Sequence, residues 1–166
     1  MLNFRRYFAI IAISFIAFSC DLKSKQRFVP TPPEPYVSKL LVKINGEAIV
    51  GATAITSEVV AGTNAAGEPT DVLVIKGVVS GKNIELKIQP ALGVGSSIRN
   101  IDGLNNGLSY TDGTAIYTPI AARSTMLVGY LDTQLKVIRG EFEARLTQVG
   151  GAGAVQLSQC TFDVQY

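Results

Sequence analysis

The chain has 166 residues, with 15 Lys and Arg against 13 Asp and Glu, and it contains no histidine. Two of the cations, Arg5 and Arg6, lie in the first twenty residues, so the remaining 146 residues carry 13 charges of each sign. This balance argues against nucleic acid as a partner, because nucleic acid requires a basic surface. The lack of histidine excludes Ser-His-Asp and Cys-His catalysis, the common zinc sites and a histidine pH switch.

The N-terminus is predicted to be a lipoprotein signal peptide. After Arg5 and Arg6, an apolar run of 13 residues extends from Tyr7 to Ser19 and ends at Cys20. A basic start followed by a short apolar run and small residues is the order of a secretory signal. The segment resembles a bacterial lipoprotein signal, which implies cleavage between Ser19 and Cys20 and lipid attachment at Cys20.

Two alternatives to lipid attachment are weaker. A membrane-spanning anchor needs about 20 apolar residues, more than this run provides. The signal of an ordinary secreted protein leaves the cysteine at the cleavage point unexplained. The resemblance is incomplete, because Ala17 stands where lipoprotein signals usually have Leu and Phe18 also departs from the pattern. Dual acylation anchors a protein stably, so we expect a lipid-anchored protein of the cell envelope, with the outer membrane preferred. Asp21 resembles an inner-membrane retention signal of enterobacteria, so the choice of membrane and the side of it are left open.

The mature chain is expected to have two parts. Residues 20–37 contain Pro30, Pro32, Pro33 and Pro35 and are predicted to be a flexible tether, because proline favours the extended polyproline conformation. Residues 38–166 are predicted to form one antiparallel β-domain, either a sandwich, which we favour, or a lipocalin-like barrel. No segment of this domain has the periodicity of an amphipathic helix.

The β-domain prediction depends on strict alternation of apolar and polar residues, which is typical of antiparallel sheet with one solvated face. Asn45-Gly46 predicts a hairpin turn. The run 71–79 is apolar on both faces, which indicates a central strand. Alternation predicts strands at 40–44, 84–88, 135–146 and 160–166, a continuation through Ala48, Val50 and Ala52, and further strands at 96–101, 107–110, 115–118 and 125–131.

Three short motifs carry a second resemblance. They are VKINGE at 42–47, IRGEFEA at 138–144 and CTFDVQY at 160–166. They resemble motifs of small Bacteroidota-type lipoproteins of unknown function, with Cys160 where that family usually has Gly and Ile49 where an aromatic residue is usual. The resemblance implies a β-rich domain and supplies no activity.

Three candidate sites are better explained as ordinary structure. Cys160 shares a predicted strand face with buried residues, so a buried thiol is expected. Glu141 and Glu143 share a solvated strand face beside Arg145, and they do not form a carboxylate pair in a cleft as acid catalysis requires. The loop beginning at Asp102 lacks calcium ligands at its third and twelfth positions, Leu104 and Gly113, so a turn is expected.

The preferred binding region lies between Ile98 and Thr125, where tyrosines and arginines accompany Gly and Asn. Binding sites favour Tyr and Arg, although buried tyrosines and solvated arginines would give the same pattern. The sequence therefore predicts no catalytic residue, no metal and no cofactor. It predicts a non-catalytic module that binds an unknown ligand or envelope protein, or alternatively an accessory structural subunit of an outer-membrane assembly. The candidate ligand-binding residues are Arg99, Tyr110, Tyr117 and Arg123.

Overall fold

The described part of the chain is built of antiparallel strands and contains no helix. The computed structural model describes residues 35–64, 66–89 and 107–166, together with the backbone of 97–99. The predicted signal peptide, Cys20 and most of the tether lie outside these residues, as does the loop 102–106. The predicted all-β antiparallel class is confirmed. The strands are β1 Lys39–Ile44, β2 Val50–Gly51, β3 Thr53–Thr63, β4 Pro69–Val79, β5 Lys82–Ile88, β6 Ser97–Arg99, β7 Gly107–Asp112, β8 Ala115–Asp132, β9 Val137–Gln148 and β10 Ala154–Gln165.

The ten strands form one sheet in which the first long strand pairs with the last. Nine strands follow the order β2-β1-β10-β9-β8-β7-β5-β4-β3, and β6 pairs with β8 beside this path. From β7 to β10 each strand pairs with its successor in the chain, as a meander does. Within the described sheet, β2 and β3 are therefore the two terminal strands.

The sheet curls so that its two halves meet across a common core. Gly77 on β4 faces β1, since a Cβ built on this glycine would lie 2.9 Å from Leu40 Cδ2 and 3.0 Å from the Cβ of Ala52. At the rim, the Ser57 hydroxyl of β3 donates to the carbonyl oxygen of Gln165 at 2.8 Å. A side chain at position 77 would press on Leu40 and Ala52, so glycine allows this close approach.

One hydrophobic cluster lies inside the curl and draws on β1, β4, β5 and β7 to β10. The alternation of the sequence is directly visible in it. On β9, Phe142, Ala144 and Leu146 are buried, while the intervening residues are exposed. On β10, Phe162 and Val164 are buried beside Cys160. The largest fully buried side chains are Tyr110, Phe142, Phe162, Leu40, Leu73, Ile75, Ile84, Leu86, Ile88, Met126 and Ile138.

Gly140 lets an aromatic ring lie flat over the sheet. It is the β9 partner of Phe162 on β10. A Cβ at position 140 would collide with the Phe162 ring and with the carbonyl oxygen of Leu127 on β8. The glycine in the IRGEF motif is thus explained by the close approach of a ring and a neighbouring strand.

The turns carry the residues that positive backbone angles require. Asn45 and Gly46 have φ of 50° and 79°, as a two-residue hairpin turn needs. The Asn45 side-chain oxygen also accepts from the backbone N–H of Gln156 at 2.9 Å, which ties the turn to β10. Between β8 and β9, Asp132 Oδ1 accepts from the N–H groups of Gln134 and Leu135 at 2.9 and 2.8 Å. These bonds hold the pKa of Asp132 below its ordinary value.

Several strand boundaries differ from the sequence-based expectations. The alternation predicted to continue beyond Asn45-Gly46 gives only the two-residue β2, and Val50 is exposed. The two segments expected at 115–118 and 125–131 form the single 18-residue strand β8, whose pairing with β9 is interrupted between Pro119 and Ser124. The strand expected to begin at Leu135 begins at Val137, because Leu135 belongs to the Asp132 turn.

The prediction for β4 was correct, whereas the neighbouring strand β3 was not predicted. The expectation that 71–79 lies inside the sheet is confirmed, since β4 is flanked by β3 and β5 and buries Val72 and Val74 on one face and Leu73 and Ile75 on the other. The long strand β3 was not predicted at all. It is exposed on both faces along most of its length, so its sequence lacks the alternation that reveals a strand.

Candidate functional site

The two predicted tyrosines meet as a cross-strand pair. Asp112 and Ala115 close the β7–β8 hairpin, and counting outward from them places Tyr110 opposite Tyr117. The ring centroids are 5.6 Å apart at an interplanar angle of 63°, which is the edge-to-face arrangement that aromatic rings prefer. Tyr110 belongs to the buried core, and Tyr117 is half-buried against it.

The hydroxyl of Tyr110 is buried, and no described residue meets hydrogen-bond geometry with it, although Lys82 is close enough to influence its ionisation. Burial raises the pKa of this phenol, and the nearby Lys82 ammonium opposes the shift. Lys82 Nζ lies 6.0 Å from the Tyr110 ring centroid and 3.0 Å from Asp112 Oδ2. Asp112 accepts a hydrogen bond from Lys82 and so raises the pKa of the lysine. The tyrosine pair is thus capped at the hairpin end of the sheet by a partly exposed ion pair.

The two predicted arginines lie elsewhere. Arg123 is exposed on β8, next to the buried Ser124, whereas the tyrosines pack inward. The backbone of Arg99, on β6, pairs with Thr125. The structure therefore brings Tyr110 and Tyr117 together and places the two arginine positions together near Thr125, as two separate groups.

Thr125 also lines a groove on the outer surface of β8, β9 and β10. The groove has a volume of about 670 Å³. A volume of this size falls within the range of about 300–1,000 Å³ that ligand sites occupy. Its outward-facing side chains offer hydroxyl, amide and carboxylate groups. The described residues that line it are Thr125, Met126, Leu127, Glu141, Phe142, Glu143, Gln159, Cys160 and Thr161.

A bulge in β10 shapes one wall of the groove. The pairing of β10 with β9 shifts between Leu157 and Cys160, and Gln159 has a φ of 50°. The backbone N–H of Gln159 points to Glu143 Oε1 at 3.5 Å, and its side-chain oxygen accepts from Lys43 Nζ at 3.3 Å. Gln159 could not be recognised in the sequence, because a β-bulge at a residue other than glycine leaves no local sequence pattern. A smaller groove of about 290 Å³ lies over β4, β5 and β7.

The cysteine and the carboxylates have the environments predicted for them. Cys160 is buried, and burial raises the pKa of its thiol to about 11. Glu141 and Glu143 are exposed on the outer face of β9. Among the described residues, no three His, Cys, Asp or Glu side chains come together as metal ligands. The described part also contains no helix long and apolar enough to cross a bilayer.

Comparison with known proteins found no matching family model, no similar curated protein and no similar solved structure.

Proposed function

We propose that this chain is a lipid-anchored protein of the cell envelope whose β-domain binds a partner without catalysing a reaction. The anchor is supported by the sequence from Arg5 to Cys20, and the resemblance to Bacteroidota-type lipoproteins favours the outer membrane. The proline-rich residues 20–37 are proposed to link the lipid to this domain. Absence of histidine and the buried thiol of Cys160, whose pKa is about 11, argue against nucleophilic catalysis.

The partner is proposed to bind on the outside of the sheet. The observation that carries this choice is the single hydrophobic cluster inside the curl, to which large side chains such as Phe142 and Phe162 contribute. A carrier of apolar ligands needs an empty cavity inside, as lipocalins have. For the closure of the curl we propose a sandwich, with a lipocalin-like barrel as the alternative, since the run 50–63 pairs with β1 at its start and with β4 beyond it.

We propose the groove over β8, β9 and β10 as the binding site. Its threonines, Gln159 and the two glutamates can hydrogen-bond an extended polar segment of a protein. Arg123 on β8 and Arg99 on β6 border it through Thr125 and are proposed to contact the same partner. The aromatic pair Tyr110–Tyr117 would then act as a packing element of the core, apart from the partner.

Anchoring and binding are tested separately. Cys20→Ala is expected to move the full-length chain from the membrane to the soluble fraction with unchanged circular dichroism. Cys160→Ala, the matched cysteine control, should remain in the membrane. A Cys20→Ala chain that stays in the membrane would contradict the anchor.

The groove is tested with a photo-reactive amino acid at Thr161, which lines it, and at Thr147, which is exposed on β9 outside it. Position 161 should capture a partner in living cells, and Thr125→Arg, which fills the groove from β8, should abolish that capture. Equal capture from both positions, or capture insensitive to Thr125→Arg, would exclude the groove as the site.

The second candidate function, an accessory structural subunit of an outer-membrane assembly, is favoured by the long exposed strand β3 at one end of the sheet. Crosslinking from β3 to an integral outer-membrane protein, with none from the groove, would support this function over the first.

A further inference from the structure

Strand β3 is a long strand with one side of its backbone unpaired in the described sheet. It has 11 residues and is the last strand of the sheet path, with β4 on one side. From Thr56 to Thr63 its pairing with β4 is regular. Beyond Ser57, whose hydroxyl donates to Gln165 of the same chain, its outer side has no partner strand in the described sheet. The backbone N–H and C=O groups there can template another strand.

The other terminal strand is protected in a way that β3 is not. β2 has only two residues, and short edge strands offer little to pair with. Within 56–63 there is no proline, and the one charged residue, Glu58, is tied to Lys76 of β4 at 2.8 Å. The irregular pairing near Ala54 lies outside this stretch. Val59 and Val60 are 47% and 37% exposed, on opposite faces of the strand.

We propose that β3 pairs antiparallel with β3 of a second copy of this chain, across a two-fold axis at Val60. Directly opposite residues in an antiparallel pair share a face of the sheet. Since faces alternate along a strand, a residue can face only a residue of the same parity. The symmetric registers are therefore those centred on a single residue, which faces its own copy.

The sequence of β3 favours the register centred on Val60. In that register Val60 faces Val60, Val59 faces Ala61, and Glu58 faces Gly62. Apolar residues meet apolar ones and no like charges are opposed, which is the pattern that stabilises cross-strand pairs. The paired stretch ends before Ser57, whose hydroxyl donates to Gln165 of its own chain. A centre at Glu58 would oppose two carboxylates, and a centre at Val59 would place Glu58 against Val60.

This self-complementarity points to a second copy as the occupant of the edge, in preference to a strand of an unrelated protein. Isologous contacts of this kind close after two subunits. The inference does not rest on the lipid anchor, although confinement to one membrane would raise the effective concentration of the two edges.

The test is disulfide crosslinking of the full-length chain in cells under mild oxidation. Val60→Cys should give a disulfide dimer, because opposed Cβ atoms lie about 4.5–5.5 Å apart, close to disulfide reach. Glu58→Cys and Gly62→Cys, each alone, are the matched controls. Identical residues there would lie four positions apart along the strands, roughly 13 Å, so the dimer yield should be at least about tenfold lower.

When the Glu58→Cys and Gly62→Cys chains are produced together, the mixed dimer should form, since these positions face each other. The chain without added cysteines reports the background from Cys20 and Cys160. Val60→Lys should make the purified chain monomeric with unchanged circular dichroism, whereas Thr147→Lys should not. No Val60→Cys dimer, equal yields from all three positions, or crosslinking to a different protein would each overturn the proposal.

Discussion

Phe142→Ala tests the register on which the core depends. Phe142 is 1% exposed at the centre of β9, opposite Met126 of β8 and Cys160 of β10. Truncating a fully buried phenylalanine removes its transfer free energy and leaves a cavity, which together cost about 3–5 kcal/mol. The matched control is Glu143→Ala, because Glu143 is the next residue and lies on the exposed face. Its effect should stay within about 0.5 kcal/mol.

The assay is equilibrium unfolding in urea, followed by circular dichroism. With a slope of about 2 kcal/mol per M, the Phe142→Ala midpoint should fall by about 1.5–2.5 M at unchanged slope. The Glu143→Ala midpoint should match that of the parent chain. Equal midpoints for the two variants, or a larger effect from Glu143→Ala, would mean that β9 presents the opposite face to the core.

Three further predictions follow from contacts in the sheet. Gly140→Ala should destabilise the fold by about 1–3 kcal/mol, because the new methyl group meets the Phe162 ring and the Leu127 backbone. Gly129→Ala on β8 is the matched control, since neither glycine has a positive φ and the nearest atom to a Cβ at position 129 is 4.0 Å away. Equal losses from the two variants would refute the contact. Cys160 should resist alkylation at pH 8 until urea is added, because its thiol is buried. Its raised pKa means that the neutral thiol stabilises the fold below pH 9 and that this contribution is lost as the pH rises toward 11. Cys160→Ala should therefore flatten the pH dependence of the free energy of unfolding between pH 9 and 11, and an unchanged dependence would contradict the burial of the thiol. The pKa of Asp132 is lower in the folded chain than in the unfolded chain, so the carboxylate stabilises the fold above its ordinary pKa, and this contribution is lost as the pH falls through the pKa of the folded state. Asp132→Ala should therefore lower the melting temperature at pH 7 more than at pH 2.5. An equal decrease at both pH values would show that the turn does not depend on the charge.

Alternation made the solvated strands predictable from the sequence. In β5, β9 and β10 the residues expected inside are buried, and those between them are exposed or half-buried. The Asn45-Gly46 turn was predictable because few residue pairs accept two positive φ angles. These features are local, so a single sequence contains them.

Features that depend on pairing between distant strands were not predictable in the same way. β3 has no alternation because it is exposed at an edge, and the continuity of β8 through Pro119 depends on its neighbour β9. The pairing of β1 with β10 joins the two ends of the domain, which no local pattern indicates.

The candidate site shows the same division. The Tyr110–Tyr117 pair could have been predicted, because the Thr111-Asp112-Gly113 turn signal fixes the hairpin and the pairs that flank it. The separation of Arg123 from these tyrosines could not, because it depends on the irregular pairing between Pro119 and Ser124. The groove depends on the bulge at Gln159, which forms where three strands meet.

The central claim, that a lipid anchored at Cys20 carries this β-domain, is tested most directly by mass spectrometry of the N-terminus of the chain purified from cell membranes. The account predicts a chain that begins at Cys20 and carries acyl groups on that residue. A chain that retains residues 1–19, or that begins at an unmodified Cys20, would contradict it.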